Sequence, residues 1–401
     1  MAQRVPLLRG GHGMELLQGS GEFFPALVQA IDAARREVRL ESYIFDFHGA
    51  SAEVAYALER ASRRGLQVCV AVDGFGSDPI PALWRDRFLA AGVQWRVFAH
   101  PGRLGMLWPG HWRRLHRKLC VVDSVIGFCG GINILDDLYD PSWGTLAAPR
   151  FDFAVRVTGP LVDDLHATML RVWHRARPER PADHAWLQGV LRPSRGHAPA
   201  PVVMPAPPGL ARAALVLRDN LRYRNSIERA YRREIGHARK EIIIANAYFV
   251  PGHKMRDALI QAAGRGVRVQ LLLQGRYEYF MQYYGARLVY GALLRAGVEI
   301  HEYSPSFLHA KVAVIDGRWA TVGSSNLDPL SFLLAREANV NVEEPQFAQQ
   351  LRERLLKAMR EGGRALDPAA YASRPFTQRL RERLALVLMR AALAVQGYKY
   401  L

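Results

Sequence analysis

His116-Arg117-Lys118-Leu119-Cys120-Val121-Val122-Asp123 and His309-Ala310-Lys311-Val312-Ala313-Val314-Ile315-Asp316 are two copies of one pattern, H-x-K-x4-D. Each runs on, at the same distance, to a glycine-containing turn that ends in Asn: Gly130-Gly131-Ile132-Asn133 and Gly323-Ser324-Ser325-Asn326. At residue frequencies of a few per cent, one such pattern arises by accident in roughly one chain in fifty of this length. Two copies with matched turns are a repeat.

The repeat extends on both sides of the motif. Val38 to Phe45, entered from Ala34-Arg35-Arg36-Glu37, matches Ile242 to Phe249, entered from Ala238-Arg239-Lys240-Glu241. Arg64-Gly65-Leu66-Gln67-Val68 matches Arg265-Gly266-Val267-Arg268-Val269, and Ala91-Gly92-Val93 matches Ala296-Gly297-Val298; each is a helix end at Gly followed by a strand. Strand and helix alternate in the same order in both halves, which predicts an α/β fold of two like lobes. The motif strands are unbroken apolar runs, the pattern of strands buried on both faces, so each lobe is expected to hold a mostly parallel sheet flanked by helices. The sequence divides into a first lobe over 1–190, a Pro-rich connection over 191–210, a second lobe over 211–370 and an amphipathic C-terminal segment over 371–401. The connection contains RPSRGHAPAPVVMPAPP, from Arg192 to Pro208, too rich in Pro for a helix or an inner strand.

The 401 residues, 49% of them hydrophobic, suffice for two cores. Cys69, Cys120 and Cys129 stand in or beside strands with no CxxC or Cys/His ligand spacing, and read as small buried apolar residues. No metal site and no cofactor are expected.

On a strand, a histidine two residues before a lysine points the same way as that lysine. A pseudo-twofold axis would gather His116, Lys118, His309 and Lys311 around one shared pocket, with Asn133 and Asn326 as neutral donors. Such a pocket suits a phosphodiester: one imidazole attacks phosphorus, and the other protonates the departing alkoxide. The lysines and asparagines would hold the phosphate oxygens, with the Ser324 hydroxyl as a further donor. Asp123 and Asp316 complete the motif and are counted with the catalytic set, although an Asp closing an apolar run also shapes a turn. Asp152, in Phe151-Asp152-Phe153, and Glu337, in Arg336-Glu337-Ala338, open strands after the Asn turns. Each could accept from the outer nitrogen of a motif histidine and fix its tautomer.

With these motifs the chain resembles the phospholipase D superfamily, which is defined by two HKD motifs, and within it the bacterial cardiolipin synthases. The resemblance runs from Leu16-Leu17 and Gly21-Glu22-Phe23-Phe24 to Glu337, and includes Glu41-Ser42-Tyr43-Ile44-Phe45, Tyr248-Phe249-Val250-Pro251 and Asn326-Leu327-Asp328-Pro329. It implies a phosphohistidine intermediate: one phosphatidylglycerol gives its phosphatidyl group to the enzyme, glycerol leaves, and a second phosphatidylglycerol takes the group to give cardiolipin. It implies His116 as nucleophile, His309 as general acid and base, and Lys118, Lys311, Asn133 and Asn326 as phosphate ligands. Asp152 and Glu337 carry over as histidine-orienting carboxylates. The first turn has Gly131 where many relatives have Ser, so asymmetry is expected there.

Longer members of that group begin with two membrane-spanning helices; no run of 18 apolar residues occurs here, so no spanning helix and no signal peptide are expected. A net charge of +17 favours an anionic surface such as a phosphatidylglycerol and cardiolipin membrane, reached peripherally from the cytoplasmic side. Candidate contacts are the Arg-flanked apolar segment Arg379 to Val395, the aromatic stretch Arg276 to Tyr284, and the loop Pro101 to Leu115 with Trp108 and Trp112. Each of the three reads equally as packing or plain surface. Phospholipid hydrolysis is the nearest alternative activity, since it differs only in the acceptor. A nuclease of the same superfamily is a more distant one, and no nucleic-acid partner is expected. Because both motifs lie in one chain, a monomer suffices for the site.

Overall fold

The computed structural model describes residues 6–99, 113–140, 143–178, 211–219, 223–278, 280–328 and 335–395. The Pro-rich connection and most of the Trp-bearing loop before His116 lie outside these residues. The first lobe is built on strands β1 (Arg9–Gln18), β2 (Glu37–Ser42), β3 (Gln67–Asp73), β4 (Gln94–Phe98), β5 (Lys118–Val122), β6 (Ile126–Gly130) and β7 (Phe153–Thr158). The second lobe repeats them as β8 (Ala211–Arg218), β9 (Glu241–Asn246), β10 (Arg268–Gln274), β11 (Glu299–Tyr303), β12 (Lys311–Ile315), β13 (Trp319–Gly323) and β14 (Ala335–Glu343). In the first lobe the spatial order is β4-β3-β2-β5-β6-β7-β1, and the second follows the same order with its own strands. An antiparallel pairing of β1 with β8, Arg9 opposite Ala213, joins the two sheets.

The α/β reading and the two like lobes stand, but the strand directions differ from the expectation. Parallel pairing holds only among β2, β3 and β4, and among β9, β10 and β11; every other neighbour within a lobe is antiparallel. The reason is the turn after each motif strand. Asp123 and Ser124 both have positive φ, as do Asp316 and Gly317, which is the hairpin geometry of a tight primed turn. So short a connection can only return the chain antiparallel. The unbroken apolar runs arise instead because each sheet is covered on both faces.

Three of the four buried clusters among the described residues provide most of that cover. One lies in the first lobe, around Leu27, Leu58 and Val70, beneath helices α1 (Gly19–Ala33) and α2 (Ser51–Arg63). One lies in the second, around Tyr231, Leu259 and Leu271. The third joins β5 and β7 of the first lobe to β12 and β14 of the second through Leu119, Val155, Val312 and Val340. The lobes are thus welded by apolar burial, and the motif strands lie at the weld.

Candidate active site

Each motif histidine hangs from the opposite lobe. The His116 N–H donates to the Arg336 carbonyl at 3.1 Å, and the His309 N–H to the Phe151 carbonyl at 2.9 Å. The next residue along each of those segments is a carboxylate. His116 Nδ1 meets Glu337 Oε2 at 3.1 Å, and His309 Nδ1 meets Asp152 Oδ2 at 2.6 Å. Both carboxylates are buried, and their bonds leave Nε2 as the ring nitrogen available for chemistry. Spacing had placed a carboxylate near each histidine; the exchange between halves was not visible in it.

His116, His309, Asn133, Asn326 and Asp152 line one cavity of about 840 Å³. Lys118 and Lys311 are buried immediately behind the histidines. The Lys118 ammonium donates to the His116 carbonyl at 2.8 Å, and Lys311 donates to that of His309. Burial pushes the Lys118 ammonium down to about 7 and that of Lys311 to about 8. It also lowers His116, where Glu337 offsets it in part, and holds His309 well below the ordinary imidazole value with the help of Lys311 and Lys118. The carboxylates diverge. Burial raises Asp152 to about 7 despite Lys311. Burial works against the Glu337 charge too, but His116, Arg218 and Lys118 outweigh it and hold that carboxyl low. Sheet register explains the difference, since Arg218 lies opposite Glu337 whereas the residue facing the Asp152 backbone is Gly19.

Three expected site residues lie elsewhere. Ser324 is fully buried, and its hydroxyl donates to Glu337 rather than facing the cavity, so it supports the carboxylate behind His116. Its counterpart Gly131 leaves room for Asp152: a Cβ there would stand 2.4 Å from Asp152 Oδ1. Asp123 and Asp316 stand at the far ends of their strands. The Asp123 carboxylate accepts from the backbone of Arg35, Arg36 and Glu37, and that of Asp316 from Arg239, Lys240 and Glu241. They tie each motif hairpin to the helix-to-strand turn before β2 or β9. An Asp316→Ala variant should therefore lose roughly 2–4 kcal/mol of stability at pH 7, from three amides left without their acceptor. Burial raises the Asp316 carboxyl, but those three amides overcome it and the net shift is downward. The stabilisation is thus present above the ordinary carboxyl value of 3.8 and is lost as pH falls through the lower folded value. Urea unfolding of both proteins at pH 7 and at a series of pH values below 3.8 checks this, the gap narrowing as pH falls.

Two contributors were not anticipated. The Tyr43 ring packs against His116 with ring centroids 4.7 Å apart and planes inclined at 56°. Asp73, at the end of β3, accepts from the Leu115 N–H at 2.6 Å and from Phe75 and Gly76, and so fixes the approach to His116. Gln274 holds the equivalent place after Leu273 and accepts from the Leu308 N–H at 3.4 Å. Aligning the two halves strand by strand pairs Asp73 with Gln274 and so points to that position, whereas Tyr43 falls on Ala247 and carries no such signal.

The model of the family described as "Cardiolipin synthase, PLD-like domain" matches residues 27–142 and 231–359, one stretch in each lobe. Cardiolipin synthase B of Escherichia coli K12 is 36% identical over 97% of this chain and 91% of its own length. Cardiolipin synthase 1 of Staphylococcus epidermidis is 28% identical over 94% of this chain and 73% of its own. Among solved structures, the phosphatidylserine synthase of Haemophilus influenzae Rd KW20 superposes with a TM-score of 0.66 at 15% identity, covering 98% of this chain and 96% of that one. At that identity the likeness concerns the fold. The family match to both halves and the near full-length identity agree with the histidine geometry: this chain belongs to the phospholipase D-like family of cardiolipin synthases.

Proposed function

We propose that the cavity moves a phosphatidyl group from one phosphatidylglycerol to another, giving cardiolipin and glycerol. The observation that carries this reading is the pair of imidazoles facing one cavity, each oriented by the other lobe's carboxylate and backed by a buried lysine. His116 Nε2 forms a bond to phosphorus as the bond to the glycerol oxygen breaks, and His309 passes its Nε2 proton to that oxygen while its Nδ1 takes up the proton held by Asp152, whose carboxyl is raised to about 7. A second headgroup hydroxyl then gives its proton to His309 and attacks phosphorus, and the N–P bond breaks. Lys118, Lys311, Asn133 and Asn326 offset charge on the phosphate oxygens through both steps.

Carboxylates at Asp46, Asp140, Glu278 and Asp328 line the same cavity and would repel a polyanionic backbone, which favours a lipid over a nucleic acid. Incubation with phosphatidylglycerol vesicles, with products read by mass spectrometry, tests the proposal. Cardiolipin with glycerol supports it, and phosphatidic acid without cardiolipin rejects it in favour of hydrolysis.

The pH profile follows from the displaced lysines. An anionic substrate needs them protonated, and their charge is lost as pH rises through about 7 and about 8. His116 must be neutral to attack, and its value is lowered from 6.5. On a soluble short-chain phosphatidylglycerol, kcat/KM should be bell-shaped, with its acid limb below pH 6.5 and its alkaline limb beginning between pH 7 and 8. A profile flat to pH 10 would contradict this.

The membrane is met, on this reading, at one face of the second lobe. No helix among the described residues is long and apolar enough to cross a bilayer. The C-terminal helix Phe376–Val395 buries Glu382 and Ala385 and exposes Phe376, Leu380, Leu384, Val387 and Leu388 at successive helical turns. Arg379, Arg381 and Arg383 are exposed beside that stripe, and Arg381 reaches the Tyr284 hydroxyl at 3.4 Å. The packing and interfacial readings of this segment therefore apply to its two opposite faces. Leu380→Glu with Leu384→Glu should weaken sedimentation with phosphatidylglycerol vesicles by about tenfold or more, since each exposed Leu contributes on the order of 1.5 kcal/mol when buried. Turnover of a soluble substrate should be retained.

A further inference from the structure

The two halves of the cavity are not equivalent, and the difference falls on the headgroup. Register along β2–β3 and β9–β10 places Ser77 and Glu278 at corresponding positions, four residues beyond Asp73 and Gln274. Ser77 closes its loop locally: its hydroxyl accepts from the Phe45 N–H at 3.0 Å and donates to the Tyr43 carbonyl at 2.9 Å. Glu278 turns into the cavity instead and accepts from the Tyr248 hydroxyl at 2.8 Å. Tyr248 itself corresponds to Ile44. Around Ile44 the first-lobe wall sets Phe45, Phe47, Pro79 and Pro81 beside Asp46, His48 and Asp78, whereas the second-lobe wall offers the hydrogen-bonded oxygens of Tyr248 and Glu278.

Those oxygens are mostly acceptors. Burial raises the Glu278 carboxyl, the Tyr248 hydroxyl and Lys311 draw it down, and Asp140 pushes it up from the first lobe. Asp140 is itself paired with Arg150 at 2.6 Å, and both line the cavity. A separate sign of a missing ligand is Asn326, which is 2% exposed and lines the cavity; its Oδ1 has no hydrogen-bond partner among the described residues. An acceptor without a donor does not suit a phosphate oxygen. It suits a hydroxyl.

We infer that Glu278 and Tyr248, with Asn326 Oδ1, form a subsite for an uncharged diol: the glycerol headgroup that leaves in the first step and the glycerol hydroxyl that enters in the second. This rests on the transfer reading above and adds the selection of the alcohol. The subsite belongs to the same lobe as His309, the imidazole that exchanges protons with both alcohols. A monohydric alcohol would leave one acceptor unpaired, and ethanolamine, whose ammonium the cavity carboxylates would also accept, is the competitor that decides whether the subsite selects a neutral diol.

The test uses the full chain, phosphatidylglycerol vesicles and an equimolar mixture of deuterated glycerol, 1-propanol and ethanolamine. Mass spectrometry then reads labelled phosphatidylglycerol, phosphatidylpropanol and phosphatidylethanolamine. The unaltered protein should favour glycerol over both competitors. Glu278→Gln should lower the glycerol-to-propanol product ratio by about tenfold, chiefly through a higher KM for glycerol, and Tyr248→Phe should lower it by a smaller factor. A ratio unchanged in both variants, or a preference of the unaltered protein for propanol or ethanolamine, overturns the subsite while leaving transfer intact. Absence of every transfer product would overturn the transfer reading and this inference with it.

Discussion

Replacing His116 with Ala should lower cardiolipin formation by about 10⁴-fold or more, the expected scale when a covalent nucleophile is removed. On the proposed chemistry no neighbouring side chain is placed to take its role. His309 is tied through Nδ1 to Asp152 and reaches phosphorus from the opposite side. Lys118, whose ammonium donates to the His116 carbonyl, stands behind the ring rather than in the cavity. The intermediate gives a second readout. Acid-labile, base-stable label from phosphatidylglycerol carrying radioactive phosphorus should be trapped on the unaltered protein and, forming more slowly, on His309→Ala, and be absent from His116→Ala. Label that persists in His116→Ala and vanishes in His309→Ala would exchange the two roles.

The next largest effect is expected from Glu337→Gln, a change of one atom in a residue with no solvent exposure. The amide keeps the volume but loses the charge that stabilises an imidazolium, and it can present N–H where His116 Nδ1 needs an acceptor. The comparable exchange in a serine-protease triad costs about 10⁴-fold in kcat, so a loss of roughly 10³ to 10⁴ is expected. Arg218, buried near this carboxylate, also loses its neighbouring charge, which should cost about 1–3 kcal/mol of stability. Label trapping separates the two effects. Glu337→Gln should slow formation of the phosphohistidine on the first-half histidine, although position 337 lies in the second half. A variant that is merely less stable would form it at the normal rate below its melting temperature.

Much of this site could be read from residue order. The doubled motif, the Asn turns and the flanking helix-to-strand boundaries were enough for two like lobes and one shared pocket, because a repeat constrains every position twice. Strand direction was not legible in the same way. An apolar run such as Val312 to Ile315 records burial on both faces without recording what covers them, and here part of the cover is the other lobe. The site followed the same division. Identity of the histidines and lysines was in the motif, but Asp316 resembled a catalytic group only because it travels with one. Its bonds to three backbone amides depend on a positive-φ turn that spacing does not encode. Ser324 was misplaced for a related reason: the turn that carries it folds its hydroxyl away from the cavity and onto Glu337.

The exchange of carboxylates between lobes also governs when the protein becomes reactive during its own synthesis. When the first lobe has left the ribosome, His116 is in place, but its acceptor Glu337 is still more than two hundred residues away along the chain. A half-made chain therefore holds an imidazole without its orienting carboxylate. On the proposed chemistry, phosphodiester cleavage switches on only when the second lobe docks. The same arrangement makes each half depend on the other: a change around Glu337 reaches His116, and one around Asp152 reaches His309.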